Sequence, residues 1–74
     1  MKVEGYVITG VERKEALCRY KLIHDDREYE VISSGTQAIK DELFVRKGQH
    51  VEIEVEKEEK YLSPQKVKII LNDR

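Results

Sequence analysis

The sequence is short of the residues that build special structures. It holds one cysteine, one proline, one phenylalanine and no tryptophan among 74 residues. A lone Cys18 cannot close an internal disulfide, which excludes a disulfide-stapled scaffold. With no apolar leader after Met1-Lys2-Val3-Glu4, a cytoplasmic setting is expected. No apolar run exceeds Ile69-Ile70-Leu71, far below the roughly 20 residues of a membrane span, so no membrane partner is expected. A surplus of positive charge is missing too. Fourteen Lys and Arg stand against 15 Asp and Glu, a net charge of −1, so composition alone does not indicate nucleic acid.

What the chain does have is alternation. A chain of this length buries only about 60% of the surface it exposes when unfolded, so residues 1–74 are read as one economical domain. Residues 2–9 place Val3, Gly5 and Val7 on one side and Lys2, Glu4, Tyr6 and Ile8 on the other, the period of a half-buried strand. Gly10 and the charged stretch through Glu15 read as a loop. Residues 16–24 put Cys18, Tyr20 and Leu22 inward with Arg19 and Lys21 outward, and Asp25-Asp26 predicts a hairpin turn into the strand Arg27–Ser34. Tyr29 and Val31 share one face of that strand.

Residues 36–44 predict a short helix capped by Ser34 or Thr36, with Ile39 and Leu43 on its greasy side and Phe44 sealing the barrel beneath it. Val51, Ile53 and Val55 then alternate with Glu52, Glu54 and Glu56, and a charged loop leads to Pro64, which suits a strand start because it lacks a donor. Val67, Ile69 and Leu71 face inward in the last strand. Five strands with one helix between the third and fourth is the layout of an all-β OB-fold, a Greek-key barrel; an SH3-like barrel is the rival.

The stretch Val31-Ile32-Ser33-Ser34-Gly35-Thr36-Gln37-Ala38, followed by Val45-Arg46-Lys47-Gly48-Gln49-His50-Val51-Glu52-Ile53, resembles bacterial single-stranded-DNA-binding proteins and the related primosomal replication protein. Gly35, Ala38, Lys47 and Gly48 keep that family's spacing, and Gly5-Tyr6-Val7 looks like its first-strand element. The resemblance implies an OB-fold that binds single-stranded DNA or RNA. Two features depart from it. The family's stacking aromatics align here with Glu28 and Ser34, and its long basic hairpin is reduced to about residues 57–64.

In an OB-fold the ligand crosses the second and third strands between two loops. That groove would carry Arg13 and Lys14 from the first loop, Arg19 and Lys21 from the second strand, and Lys57, Lys60 and Tyr61 from the second loop. The cations suit phosphates, and Tyr61 and the outward Tyr6 suit base stacking. The bland reading of the same residues is a solvated, charge-rich surface. The acidic series Glu52, Glu54, Glu56, Glu58 and Glu59 argues against phosphate wherever it lies, and is expected on the back of the barrel.

The competing function is a protein-interaction module that docks on a larger assembly, or forms a homodimer, through Tyr6 and Ile8. His24, Asp25, Asp26 and Glu28 cluster in sequence, but a hairpin turn needs such residues and no second His or Cys has ligand spacing, so no metal is expected. Cys18 reads as a small buried group. No Ser-His-acid order, phosphate-cradling glycine loop or carboxylate pair is legible, so neither an enzyme nor a cofactor is expected.

Overall fold

The strand alternation becomes an alternation of burial. In a computed structural model of the chain, residues 1–56 and 61–70 are described. β1 (Lys2–Val7) buries Val3, Gly5 and Val7 and exposes the residues between them. β2 (Glu12–Lys14) is exposed throughout. β3 (Leu17–His24) buries Cys18, Tyr20 and Leu22, and β4 (Arg27–Ser34) buries Val31 and Ser33. α1 (Gly35–Phe44) leads to β5 (His50–Val55), which buries Val51, Ile53 and Val55, and to β6 (Pro64–Ile70), where Pro64 takes the first position. The inward residues, with Val45 and Leu62, form one core.

The strands make a single sheet in the order β2-β3-β1-β5-β6, with β4 on the other edge of β3. All these pairings are antiparallel. The sheet curls into half a barrel, and its margins meet at one parallel bridge, Val31 to Leu62. There the Ile32 N–H donates to Leu62 O at 2.9 Å and the Leu62 N–H donates to Glu30 O at 2.8 Å. The result is a small β-barrel-like fold with one short helix. No helix among the described residues is long and apolar enough to cross a membrane.

The β3–β4 and β2–β3 hairpins turn through left-handed residues. Asp25 and Asp26 have φ of 52° and 64°, the pair of positive values that matches the twist of the flanking strands. Glu15, at φ 57°, turns β2 into β3. That second hairpin corrects the expected loop over residues 10–15. Glu12, Arg13 and Lys14 pair with Arg19, Cys18 and Leu17. β4 occupies one edge of β3 along its full length, so β1 and β2 share the other edge as one interrupted strand. At the interruption the Ile8 N–H donates to Lys21 O, while the Lys21 N–H finds Thr9 Oγ1 at 3.0 Å in place of a backbone carbonyl.

The phase of α1 also differs from expectation. Ala38 and Asp41 face the sheet, followed by Val45, whereas Ile39, Leu43 and Phe44 are 47%, 57% and 60% exposed. Phe44 therefore does not seal the barrel. Gly35, at φ +61°, sets the angle at which the chain leaves β4, and the side chain brought against β3 and β4 is the small Ala38. Ser34 occupies the N-cap position without a side-chain cap bond. The other end is better satisfied: Arg46 Nη1 donates to the Glu42 and Val45 carbonyls, and Gln49 Nε2 donates to Phe44 O.

Candidate functional site

Register determines which side chains share the outer surface of β3. Lys14 pairs with Leu17, Glu12 with Arg19, and Tyr6 with Ile23. Across the other edge, Arg19, Lys21 and Ile23 stand opposite Ile32, Glu30 and Glu28. Side-chain direction alternates along a strand, so Lys14, Arg19, Lys21 and Tyr6 lie on one surface together with Ile23 and Ile32. An open recess of about 530 Å³ runs beside this row, bordered by Thr9, Gly10, Arg19, Lys21 and Glu30.

Tyr6 is the best-defined group on that surface. It is 52% exposed, and one ring face is covered by His50, with centroids 4.6 Å apart and planes 12° from parallel. His50 Nε2 is 2.8 Å from Glu4 Oε2, which fixes the imidazole behind the phenol. Tyr61, also exposed, precedes the Leu62 bridge and so lies on the β4 margin. Two tyrosines therefore flank the β3 cations, one toward β1 and one toward β4.

The electrostatics of the surface are mixed. Arg19 lies 3.6 Å from both Glu12 and Glu30. Lys14 and Lys21 have no carboxylate within 4.0 Å among the described residues. Exposed ion pairs of this kind contribute about 0–1 kcal/mol each, so a phosphate can take over Arg19 at little cost. Three cations nonetheless share the face with Glu12, Glu28 and Glu30, which leaves it close to neutral.

Arg13 is placed elsewhere. It pairs with the buried Cys18 and so points to the opposite side of β2, where Nη1 meets Glu42 Oε1 of α1 at 2.6 Å. It ties the hairpin to the helix and is separate from Lys14, Arg19 and Lys21. Lys57 and Lys60 lie outside the described residues, as do Glu58, Glu59 and Leu71. Glu52 and Glu54 stand opposite Lys68 and Lys66 on β6, and β1 separates their strand from β3.

Under α1 lies a second polar group. Cys18, Tyr20, Ser33 and Asp41 are all at most 2% exposed. Asp41 Oδ1 accepts from Gln37 Nε2 at 2.8 Å, whereas Asp41 Oδ2 and the Tyr20 hydroxyl are buried without a hydrogen bond among the described residues. Burial pushes the Asp41 carboxyl up from the ordinary carboxylate range, and the nearby Gln37 amide and Ser33 hydroxyl oppose the shift. Tyr20 and Cys18 are also raised, first by burial and then by the Asp41 charge. A thiol so held is poorly nucleophilic. No group of three or more His, Cys, Asp or Glu among the described residues is arranged to hold a metal ion. In the turn cluster, His24 Nδ1 contacts Glu4 O and Nε2 lies near Asp25.

Sequence reasoning did not find His50 as the backing of Tyr6, because that contact depends on the β1–β5 register. It also missed Asp41, for which no sequence signal indicated burial. No protein-family model and no curated protein matches the chain.

Proposed function

We propose that this chain is a non-catalytic binding module with an OB-fold, working in the cytoplasm, and that its outer β1–β3–β4 surface takes single-stranded nucleic acid. The OB reading is supported by the pairing circuit. Counting β1 and β2 as one interrupted strand, the ring runs β1-β3-β4-β6-β5-β1 with a single parallel step, and the helix falls between β4 and β5. A fold does not choose its ligand, so the function rests on the surface itself.

The observation that carries the reading is the Tyr6 platform, an exposed phenol held by His50 and Glu4 beside Lys21 and Arg19. A base stacks on its open face while Lys14, Arg19 and Lys21 meet phosphates, and Tyr61 receives a base at the far margin. With about three phosphates neutralised, the plot of log affinity against log salt should have a slope near −2 for single strands. Affinity is modest because three carboxylates share the surface.

Fluorescence anisotropy of labelled oligo-dT at two salt concentrations tests this. Tyr6→Ala should weaken binding by about 1–3 kcal/mol, roughly 5- to 150-fold. Arg19→Glu combined with Lys21→Glu should abolish it. Absence of binding at low salt, or affinity indifferent to the double charge reversal, refutes the assignment. The near-neutral charge of the face supports a second reading, in which Tyr6 and Ile8 dock a protein or a second copy. Sedimentation of the chain alone, and unaltered sedimentation of Tyr6→Ala, would separate those outcomes.

A further inference from the structure

Helix α1 is amphipathic the wrong way round for an isolated domain. Its carboxylate Asp41 is 1% exposed and lacks a partner for Oδ2, while Ile39, Leu43 and Phe44 stand in solvent. Burying Ile39 and Leu43 in place of Asp41 would have suited a free monomer, and local rules broken in this way cluster where a surface is used. We propose that the outer face of α1 docks an acidic, amphipathic segment of a partner protein.

Charge identifies the occupant. On a helical projection Ile39 and Leu43 form the centre of the outer face, with Lys40 between them and Phe44. Arg46 and Lys47 follow the last turn. None of these three cations has a carboxylate within 4.0 Å among the described residues, and the one acidic group on the face, Glu42, is neutralised by Arg13 at 2.6 Å. The Arg46 guanidinium is held in place by the Glu42 and Val45 carbonyls at 3.1 and 2.9 Å. Beside Phe44, a groove of about 220 Å³ between α1 and β6 is lined by Val45, Val67 and Ile69 together with Lys40, Lys66 and the buried Asp41. One apolar side chain of the incoming segment fits there while its carboxylates meet Lys40, Arg46 and Lys47.

A second copy of this chain is a poorer match. Glu52 and Glu54 alternate across the ladder with Lys68 and Lys66, so that strand presents mixed charge rather than an acidic surface. Nucleic acid is poorer too, because Ile39 and Leu43 at the centre of the face are aliphatic and Phe44, at its edge, supplies one ring.

The test uses the full chain and a set of short fluorescent peptides with Leu or Phe at helical i, i+3 and i+7 positions and Asp or Glu elsewhere. A matched set carries Lys at every acidic position. The acidic set should bind and the basic set should not. Lys40→Glu with Lys47→Glu, and separately Leu43→Ser with Phe44→Ser, should each weaken binding at least about tenfold. Because these side chains are exposed, thermal unfolding of both variants should stay close to that of the parent, and oligo-dT affinity should be unchanged. No acidic peptide binding, equal binding of both sets, or self-association lost in the Leu43 and Phe44 variant would overturn the proposal. Failure of oligo-dT binding alone would leave this surface untouched and refute only the β3 assignment.

Discussion

Replacing Gly5 by alanine should be the most damaging small substitution in the chain. A Cβ at Gly5 would lie 2.7 Å from Leu22 Cδ1 and in hard contact with the Ile23 carbonyl. The Leu22 methyl can rotate away, but the carbonyl belongs to the ladder and cannot. β1 would have to withdraw from β3 where Tyr6–Ile23 and Val7–Leu22 are their only paired positions. Overpacking costs about 1–3 kcal/mol, and two weakened backbone hydrogen bonds add about 1 kcal/mol each, giving about 3–5 kcal/mol in all. A domain of this size has about 4–11 kcal/mol to lose. Gly10→Ala is the control: nothing lies within 4 Å of its added Cβ, so its effect should stay within about 0.5 kcal/mol. Urea unfolding followed by circular dichroism reads both. With a slope near 1 kcal/mol per molar for a small chain, Gly5→Ala should lower the midpoint by about 3–5 M. A midpoint within about 0.5 M of Gly10→Ala would refute the β1–β3 register and the placement of Tyr6 beside Lys21.

Asp41→Asn keeps an acceptor for Gln37 and removes the buried charge, so it should raise stability at neutral pH by about 1–2 kcal/mol. The folded chain holds the Asp41 proton more tightly than the unfolded chain. That contribution is therefore fully present below the ordinary carboxylate range and is lost as pH rises through the elevated folded value. The advantage of Asp41→Asn should grow with pH; an advantage constant from acid to neutral pH would show that the carboxyl is not shifted. Asp26→Gly relieves a left-handed side chain at φ 64° and should raise the thermal midpoint by an amount equivalent to about 0.5–1 kcal/mol; a loss would mean that the Asp26 side chain supports the turn. Cys18, fully buried with a raised thiol, should react with a disulfide reagent only after denaturation, and reaction at the rate of a free thiol in buffer would contradict its burial.

The elements legible in the sequence are those whose two faces differ. Val51, Ile53 and Val55 set against Glu52 and Glu54, or Cys18, Tyr20 and Leu22 set against Arg19 and Lys21, state both a period and an inside. Asp25-Asp26 marks its own turn for the same kind of local reason, since both residues tolerate positive φ. β2 was not legible because Glu12, Arg13 and Lys14 are all exposed, and only pairing across the Glu15-Ala16 turn makes them a strand. The helix face differs from expectation because apolar spacing fixes a shared side of a helix and not the direction that side points. Close approach to β3 and β4 instead selected Ala38 and left Ile39 and Leu43 outside. In the candidate site, Arg19 and Lys21 share a face as their alternation implies, and Lys14 joins them only through the β2–β3 pairing. Arg13 departs by the parity of one residue, and the His50 support of Tyr6 depends on two strands separated by most of the chain.

The Val31–Leu62 bridge gives the sheet a clasp rather than a weld. Two backbone hydrogen bonds and the buried side chain of Leu62 join that margin, and α1, packed on β3, β4 and β6, spans it. Tyr61 sits immediately before this clasp, so the spacing of the margin beside its ring is set by one bridge and one helix rather than by a continuous ladder.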